Sequence, residues 1–364
     1  MKRLVYFIGG IIAIIALLGG LSVKLSADKG SSGINNQLTI YNWGDYIDEA
    51  LLRQFEKETG YKVNYVTFDS NEAMYTKIKQ GGTTYDIAIP SEYMIDKMKS
   101  EKLLYPLDYS KIKGLKNIDP KFLDQPFDRE NKYSVPYFWG TLGIVYNDKL
   151  VKTPPAHWKD LWSSDYKDNL MLIDGAREII GMGLNEQGSS LNSKDMGQLN
   201  QAYDRLKDLT PNIKAVVADE IKQYMINNEA AAAVTFSGEA SEMVSQNKDL
   251  HYVVPSEGSN LWFDNIVIPK TAKNFTAAYA FINFMLNPKH AAQNAEYVGY
   301  ATPNAAAKKL LPKDILDDKA FYPSDQAMKN LEVYKNLGPE YLGIYNDLFL
   351  SIRCIGNNGY YPSI

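Results

Sequence analysis

One cysteine, Cys354, stands in 364 residues, and that scarcity excludes an intrachain disulfide and any metal site built from several thiolates. Histidine is nearly as sparse: His157, His251 and His290 lie far apart, with no second histidine at ligand spacing. No metal and no cofactor are expected. Lysine and arginine are scattered and the formal net charge is -4, so the chain lacks the basic footprint that neutralises nucleic-acid phosphates. Nucleic acid is not an expected partner. With 45% apolar and 23% charged residues the composition is that of a soluble globular chain, which excludes a polytopic membrane protein and a disordered one.

Stability must therefore come from packing, and the length exceeds the size at which one hydrophobic core keeps growing, so two lobes are expected. Lys2 and Arg3 precede an apolar run at 4–23, and Lys24 opens a polar stretch behind it. At roughly 20 residues the run can span a bilayer, and it exceeds the roughly 7–15 of a cleavable signal core. Export signal and uncleaved anchor both remain open, although Gly20 and Ser22 supply small residues ahead of a cleavage site. No cysteine follows the run, so a diacylglyceryl anchor is chemically impossible. Everything after Lys24 is expected outside the cytoplasm, with the N-terminal segment against the membrane.

From Gln37 onward short apolar runs alternate with amphipathic stretches. Strand character at 38–43 gives way to a helical pattern through Leu51, Leu52 and Phe55 that stops at Gly60. Strand 61–68 and helix 71–80 repeat the unit, and a third begins at 85–90. The pattern recurs at 142–146, 170–173, 214–217 and 231–236. Repeated strand-helix units imply an α/β fold with a parallel or mixed sheet, since parallel neighbours need a crossover long enough to hold a helix. Asn287-Pro288 starts a late helix and Gly299 stops it.

Four segments stand where chemistry is expected. Trp43-Gly44-Asp45-Tyr46 lies at a strand-to-helix junction, where open α/β sheets present loops to a ligand crevice. Core packing of Trp43 and Tyr46, with Asp45 or Asp48 as a helix cap, explains the same residues equally well. Ser91-Glu92-Tyr93 follows the 85–90 strand in the same setting, so two loops emerge at one sheet end. Ser91 reads first as an N-cap, and Tyr93 is the better ligand candidate. In Asp174-Gly175-Ala176-Arg177-Glu178, helical spacing lets Asp174 and Glu178 face one cleft, with a cap and a surface ion pair as the competing roles. Strand alternation puts Trp262 and Asp264 on one face and Phe263 on the other. An aspartate on so apolar a strand is costly unless it meets a partner or lies at an edge, and a cationic ligand is one such partner. Phe236 and Tyr300 add aromatics at element ends.

Carboxylates accept charge-assisted hydrogen bonds from ammonium groups, about 1.5–3 kcal/mol net each, and aromatic faces attract the same cations by about 0.5–2 kcal/mol. Aromatic walls also cover methylenes. The combination suits a flexible chain bearing protonated amines, and a few such contacts support roughly micromolar binding, about -8 kcal/mol. No covalent step is required.

At these residues the chain resembles the spermidine/putrescine-binding proteins of polyamine ABC importers. The likeness runs through Tyr41-Asn42-Trp43, Ser70-Asn71-Glu72, Pro90-Ser91, the 174–178 segment, Trp262 to Asp264 and the 299–304 segment, in one order over 37–350. It implies a two-lobed, type II periplasmic-binding-protein fold with a ligand cleft between lobes. The lobes would comprise 37–140 with 263–308, and 141–262 with 309–364. It also implies a monomer that presents a polyamine to the importer's permease subunits. By position, Trp43, Asp45, Tyr46, Ser91 and Tyr93 would contact ligand from the first lobe. Asp174, Glu178, Phe236, Trp262, Asp264, Tyr300 and Tyr334 would complete the cleft, with Asp45, Glu178 and Asp264 gripping amines.

Three positions depart from the family pattern. Gly175 stands where a second acid often precedes the alanine, Phe236 where tryptophan is expected, and Tyr334 near an expected glutamine. The tail after Ser351 matches nothing in the family. From other classes, a secreted carboxylate-dependent glycosidase fits tryptophans and paired acids, and a surface adhesion or sensor module needs only the anchor.

Overall fold

The computed structural model describes residues 36–218 and 220–356. The expected export segment at 4–23 lies outside them, and among the described residues no helix is long and apolar enough to cross a membrane.

β1 (Gln37–Trp43) is buried along its middle, and helix Glu49–Thr59 follows, capped by Asp48, which accepts the Ala50 N–H. β2 (Lys62–Phe68) flanks β1 in parallel, and β3 (Ile87–Ala88) flanks it in parallel on the other side. Helices Asn71–Gln80 and Glu92–Ser100 lead away from β2 and β3. Because β1 and β3 run the same way, the loops after Trp43 and after Ala88 leave one end of the sheet.

β4 (Ser134–Asn147) is nearly three times the length of the apolar run visible at 142–146. Nearly every residue in it is buried, so it carries no period-two pattern, and its register shifts between Pro136 and Phe138. Its first half pairs antiparallel with β9 (Ser259–Val267), Ser134 opposite Val267 and Thr141 opposite Leu261. Its second half pairs with β7 (Ala232–Phe236) and β8 (Leu250–Val253). Beyond β7 lie β5 (Leu170–Ile173) and β6 (Ile213–Val217), parallel to one another, and β5 is also parallel to β7. The strand order is β2-β1-β3-β9-β4-β7-β5-β6.

Side chains divide into separate cores along this sheet. Leu38, Phe55, Ile87, Trp139, Phe263 and Phe281 belong to one, and Leu142, Trp158, Leu172, Ile180, Val234 and Tyr345 to another. A smaller cluster around Met171, Ala233 and Met243 packs on β5 and β7. The change of core falls inside β4, between Trp139 and Leu142, so this strand is covalently part of both units. Leu311, Phe321 and Tyr322 also pack in the first core. Ala320, between them, packs in the cluster on β5 and β7, and Leu337 and the closing helix Gly338–Gly356 lie in the second core.

Candidate ligand-binding site

Asp264 is the centre of the arrangement. A single antiparallel bridge joins it to Ser91, which brings β9 to the end of the first sheet where the β1 and β3 loops emerge. Its carboxylate is 6% exposed and held at both oxygens: Ser91 Oγ donates to Oδ1 at 2.7 Å and Tyr46 Oη to Oδ2 at 2.6 Å. Burial pushes the carboxyl up to about 6, against the lowering effect of the two hydroxyls. Burial also holds the Tyr46 phenol well above its ordinary range, so at neutral pH it remains a donor. Ser91 occupies the N-cap position of its helix but its hydroxyl makes no cap bond; it serves Asp264 instead.

Asn71 supports this centre from the neighbouring helix. Its Nδ2 donates to Ser91 Oγ at 3.0 Å and to Tyr93 Oη at 3.1 Å, and its Oδ1 accepts the Ser91 N–H at 3.0 Å. Tyr93 Oη donates in turn to Glu72 at 3.3 Å.

An aromatic wall stands over the carboxylate. Tyr300, placed by the left-handed Gly299 at the end of helix Pro288–Val298, meets Tyr46 edge-on at 5.5 Å and Trp262 at 5.0 Å. Phe236, the last residue of β7, meets Trp262 at 6.3 Å. The wall thus joins side chains from both cores. Gly238 makes it possible: a Cβ there would overlap the Tyr300 ring. Trp43 turns toward Phe68, at 4.6 Å, and its Nε1 donates to Ile89 O at 3.0 Å, so much of it is packing. Asp45 is exposed, in a left-handed conformation at φ 49°, and Asp48 rather than Asp45 caps the helix.

Across from Asp264 lies the start of helix Ala176–Glu186. Glu178 is crowded by protein yet partly reachable by solvent, as a side chain in a concave surface is, and burial raises its carboxyl. Glu72 of the first unit adds to that rise and Glu178 in turn raises the Tyr93 phenol, so the two units face each other here. Gly175 shapes this corner, because a Cβ on it would strike the Glu178 carboxylate. Tyr334 is buried, with the Arg177 guanidinium 4.3 Å from its ring centre; its hydroxyl makes no hydrogen bond, though it lies near enough to favour the ionised Glu178. Asp174 does not join the group. It is exposed and ion-paired with Arg353 at 2.9 Å, and the N-cap position belongs to Gly175. Its place one residue before the cap turns it toward the closing helix.

Three participants were not singled out from the sequence. Asn71, Gly238 and Glu92 have no local pattern that separates them from a buried amide, a helix glycine and a first-turn acid. Glu92 lies between Ser91 and Tyr93 in a segment already read as facing the ligand, and Asn71 lies in the Ser70-Asn71-Glu72 segment of the family likeness.

Among the described residues no group of three or more potential metal ligands converges. The site offers hydrogen-bond acceptors, buried negative charge and aromatic faces, and it joins two α/β units through shared strands. That architecture and site define a bacterial extracellular solute-binding protein, and the family model of that description matches residues 50–328. The chain has the two-lobed, periplasmic-binding-protein-like fold with its cleft between the lobes. It is 39% identical over 337 residues to the spermidine/putrescine-binding periplasmic protein of Escherichia coli (strain K12), covering 92% of this chain and 96% of that one. It is 37% identical to spermidine/putrescine-binding periplasmic protein 1 of Haemophilus influenzae, covering 86% and 88%. The solved structure of the spermidine/putrescine ABC transporter substrate-binding protein PotD from Streptococcus pneumoniae superposes with a TM-score of 0.83 at 64% identity, covering 88% of this chain and all of that one. The chain belongs to this spermidine/putrescine-binding family.

Proposed function

We propose that the protein binds a polyamine, spermidine or putrescine, outside the cytoplasm and delivers it to an ABC importer. The observation that carries this reading is Asp264, a buried carboxylate held by two hydroxyl donors beside the aromatic wall, with no cation paired to it among the described residues. A ligand ammonium supplies that charge, and the Trp262, Tyr300 and Phe236 rings cover its methylenes. Glu178 takes a second amine from the opposite lobe, and Asp45 and Tyr93 stand at the mouth. Tyr334 closes the far side and Trp43 backs the near one. In this reading the protein is a monomer that performs no chemical step, exported by its N-terminal segment and kept near the permease subunits at the membrane. The names of the relatives support this reading and lend nothing to a glycosidase or an adhesion module.

Titration calorimetry of the exported chain against putrescine, spermidine and spermine tests it. Saturable binding near the micromolar range, with a raised melting temperature and no product formed, is expected; hydrolysis of a glycoside without polyamine binding would refute it.

A further inference from the structure

We propose that Glu92 is a further ligand carboxylate of this cleft, one that takes an ammonium group on its free oxygen Oε1 and so fits the site to a triamine. The inference rests on the polyamine reading above and names the ligand more closely. Glu92 is 1% exposed, and only one of its oxygens is used: Oε2 accepts the Phe263 N–H at 3.0 Å, next to Asp264 in β9. Oε1 is sealed from water and has no hydrogen-bond partner. A buried carboxylate oxygen without a donor is costly, and the described residues supply none. Trp262 Nε1, Tyr334 Oη and Arg177 Nε are likewise buried and unpartnered, so four orphaned polar atoms belong to residues around one cleft.

Four charged or titratable groups face Glu92: Asp264 from β9, Tyr93 from its own helix, Tyr334 from the segment before the closing helix, and Arg177 from helix Ala176–Glu186. Arg177 is no ion-pair partner. Its Nη2 donates to Asn192 at 2.9 Å and its Nη1 to Lys335 O at 3.2 Å. Burial, with Asp264 adding to it, pushes the Glu92 carboxyl up to about 8, so the empty protein carries it largely protonated at pH 7. On binding, the Glu92 O–H breaks, its proton passes to solvent, and the carboxylate accepts an N–H from the ammonium. Asp264, Glu178 and Glu92 then match three ammonium groups. Gly175 offers no acid and its space is filled by the Glu178 carboxylate.

The test is calorimetry at pH 7 in two buffers of different protonation enthalpy, with spermidine and putrescine, on the wild type and Glu92→Gln. The glutamine keeps an acceptor for the Phe263 N–H, so the empty variant is expected to melt at an unchanged or higher temperature. The wild type should release close to one proton per spermidine. Glu92→Gln should abolish most of that release and weaken spermidine roughly tenfold or more, with a smaller loss for putrescine. A wild type that binds spermidine without releasing a proton, or a variant with unchanged spermidine affinity, overturns the role of Glu92 and leaves the polyamine reading standing. A wild type that binds no polyamine overturns both.

Discussion

Tyr46 Oη donates to Asp264 Oδ2 at 2.6 Å across 218 residues of sequence. With Ser91 on the other oxygen, the carboxylate is oriented before any ligand arrives, so little ordering is left to do on binding. Asp264→Asn should therefore lower spermidine affinity by about 1.5–3 kcal/mol, the range of a charge-assisted bond. The empty variant should melt no lower than the wild type at pH 7, since a buried charge is removed. Thermal melts with and without spermidine check both halves.

The same burial makes the empty protein sensitive to pH. Folding raises Asp264 from 3.8 to about 6 and Glu92 from 4.5 to about 8. Between the unfolded and folded values the native state binds more protons than the unfolded one, so stability falls as pH rises. The surface acids Glu101, Asp108 and Asp148 and the half-buried Glu56 are shifted down, and their contribution is complete by about pH 5. Denaturant titrations from pH 5 to 8.5 should show the unliganded protein losing stability throughout. Spermidine should flatten that decline.

Gly238→Ala places a methyl group against the Tyr300 ring. The ring must leave its edge-on contacts with Tyr46 and Trp262, and overpacking of this kind costs about 1–3 kcal/mol. Polyamine affinity should drop, with quenching or enhancement of Trp262 fluorescence lost on ligand addition.

Asp174→Asn breaks only the ion pair with Arg353, whose side chains are 30% and 39% exposed. Stability should change by about 0–1 kcal/mol and polyamine affinity should not change. Glu178→Gln, four residues on, should weaken binding clearly. Calorimetry on the two variants side by side separates the neighbouring acids.

Much was legible from the chain alone because it is written locally. The strand-helix alternation and the helix stops at Gly60 and Gly299 reflect backbone preferences within a few residues. Period-two alternation paired Trp262 with Asp264, and both are found at the cleft. The family likeness supplied the two-lobed fold. What had no local signature was missed or misplaced. β4 is buried on both faces and so shows no alternation over its first half. Asp174 and Glu178 share a segment, yet one meets Arg353 some 180 residues away and the other the cleft.

The sequence by itself determined the element types, the α/β class, the scarcity of thiols and imidazoles, and which strand ends carry aromatic and acidic residues. Only the tertiary structure decided which acids are buried. Desolvation depends on what packs around a group in three dimensions, and the neighbours that seal Asp264 and Glu92 come from strands and helices far apart in the chain. That is also why Asp264, Tyr46 and Ser91 could be named in advance while the hydrogen bonds that join them, the raised proton affinity of Asp264 and the orphaned oxygen of Glu92 could not.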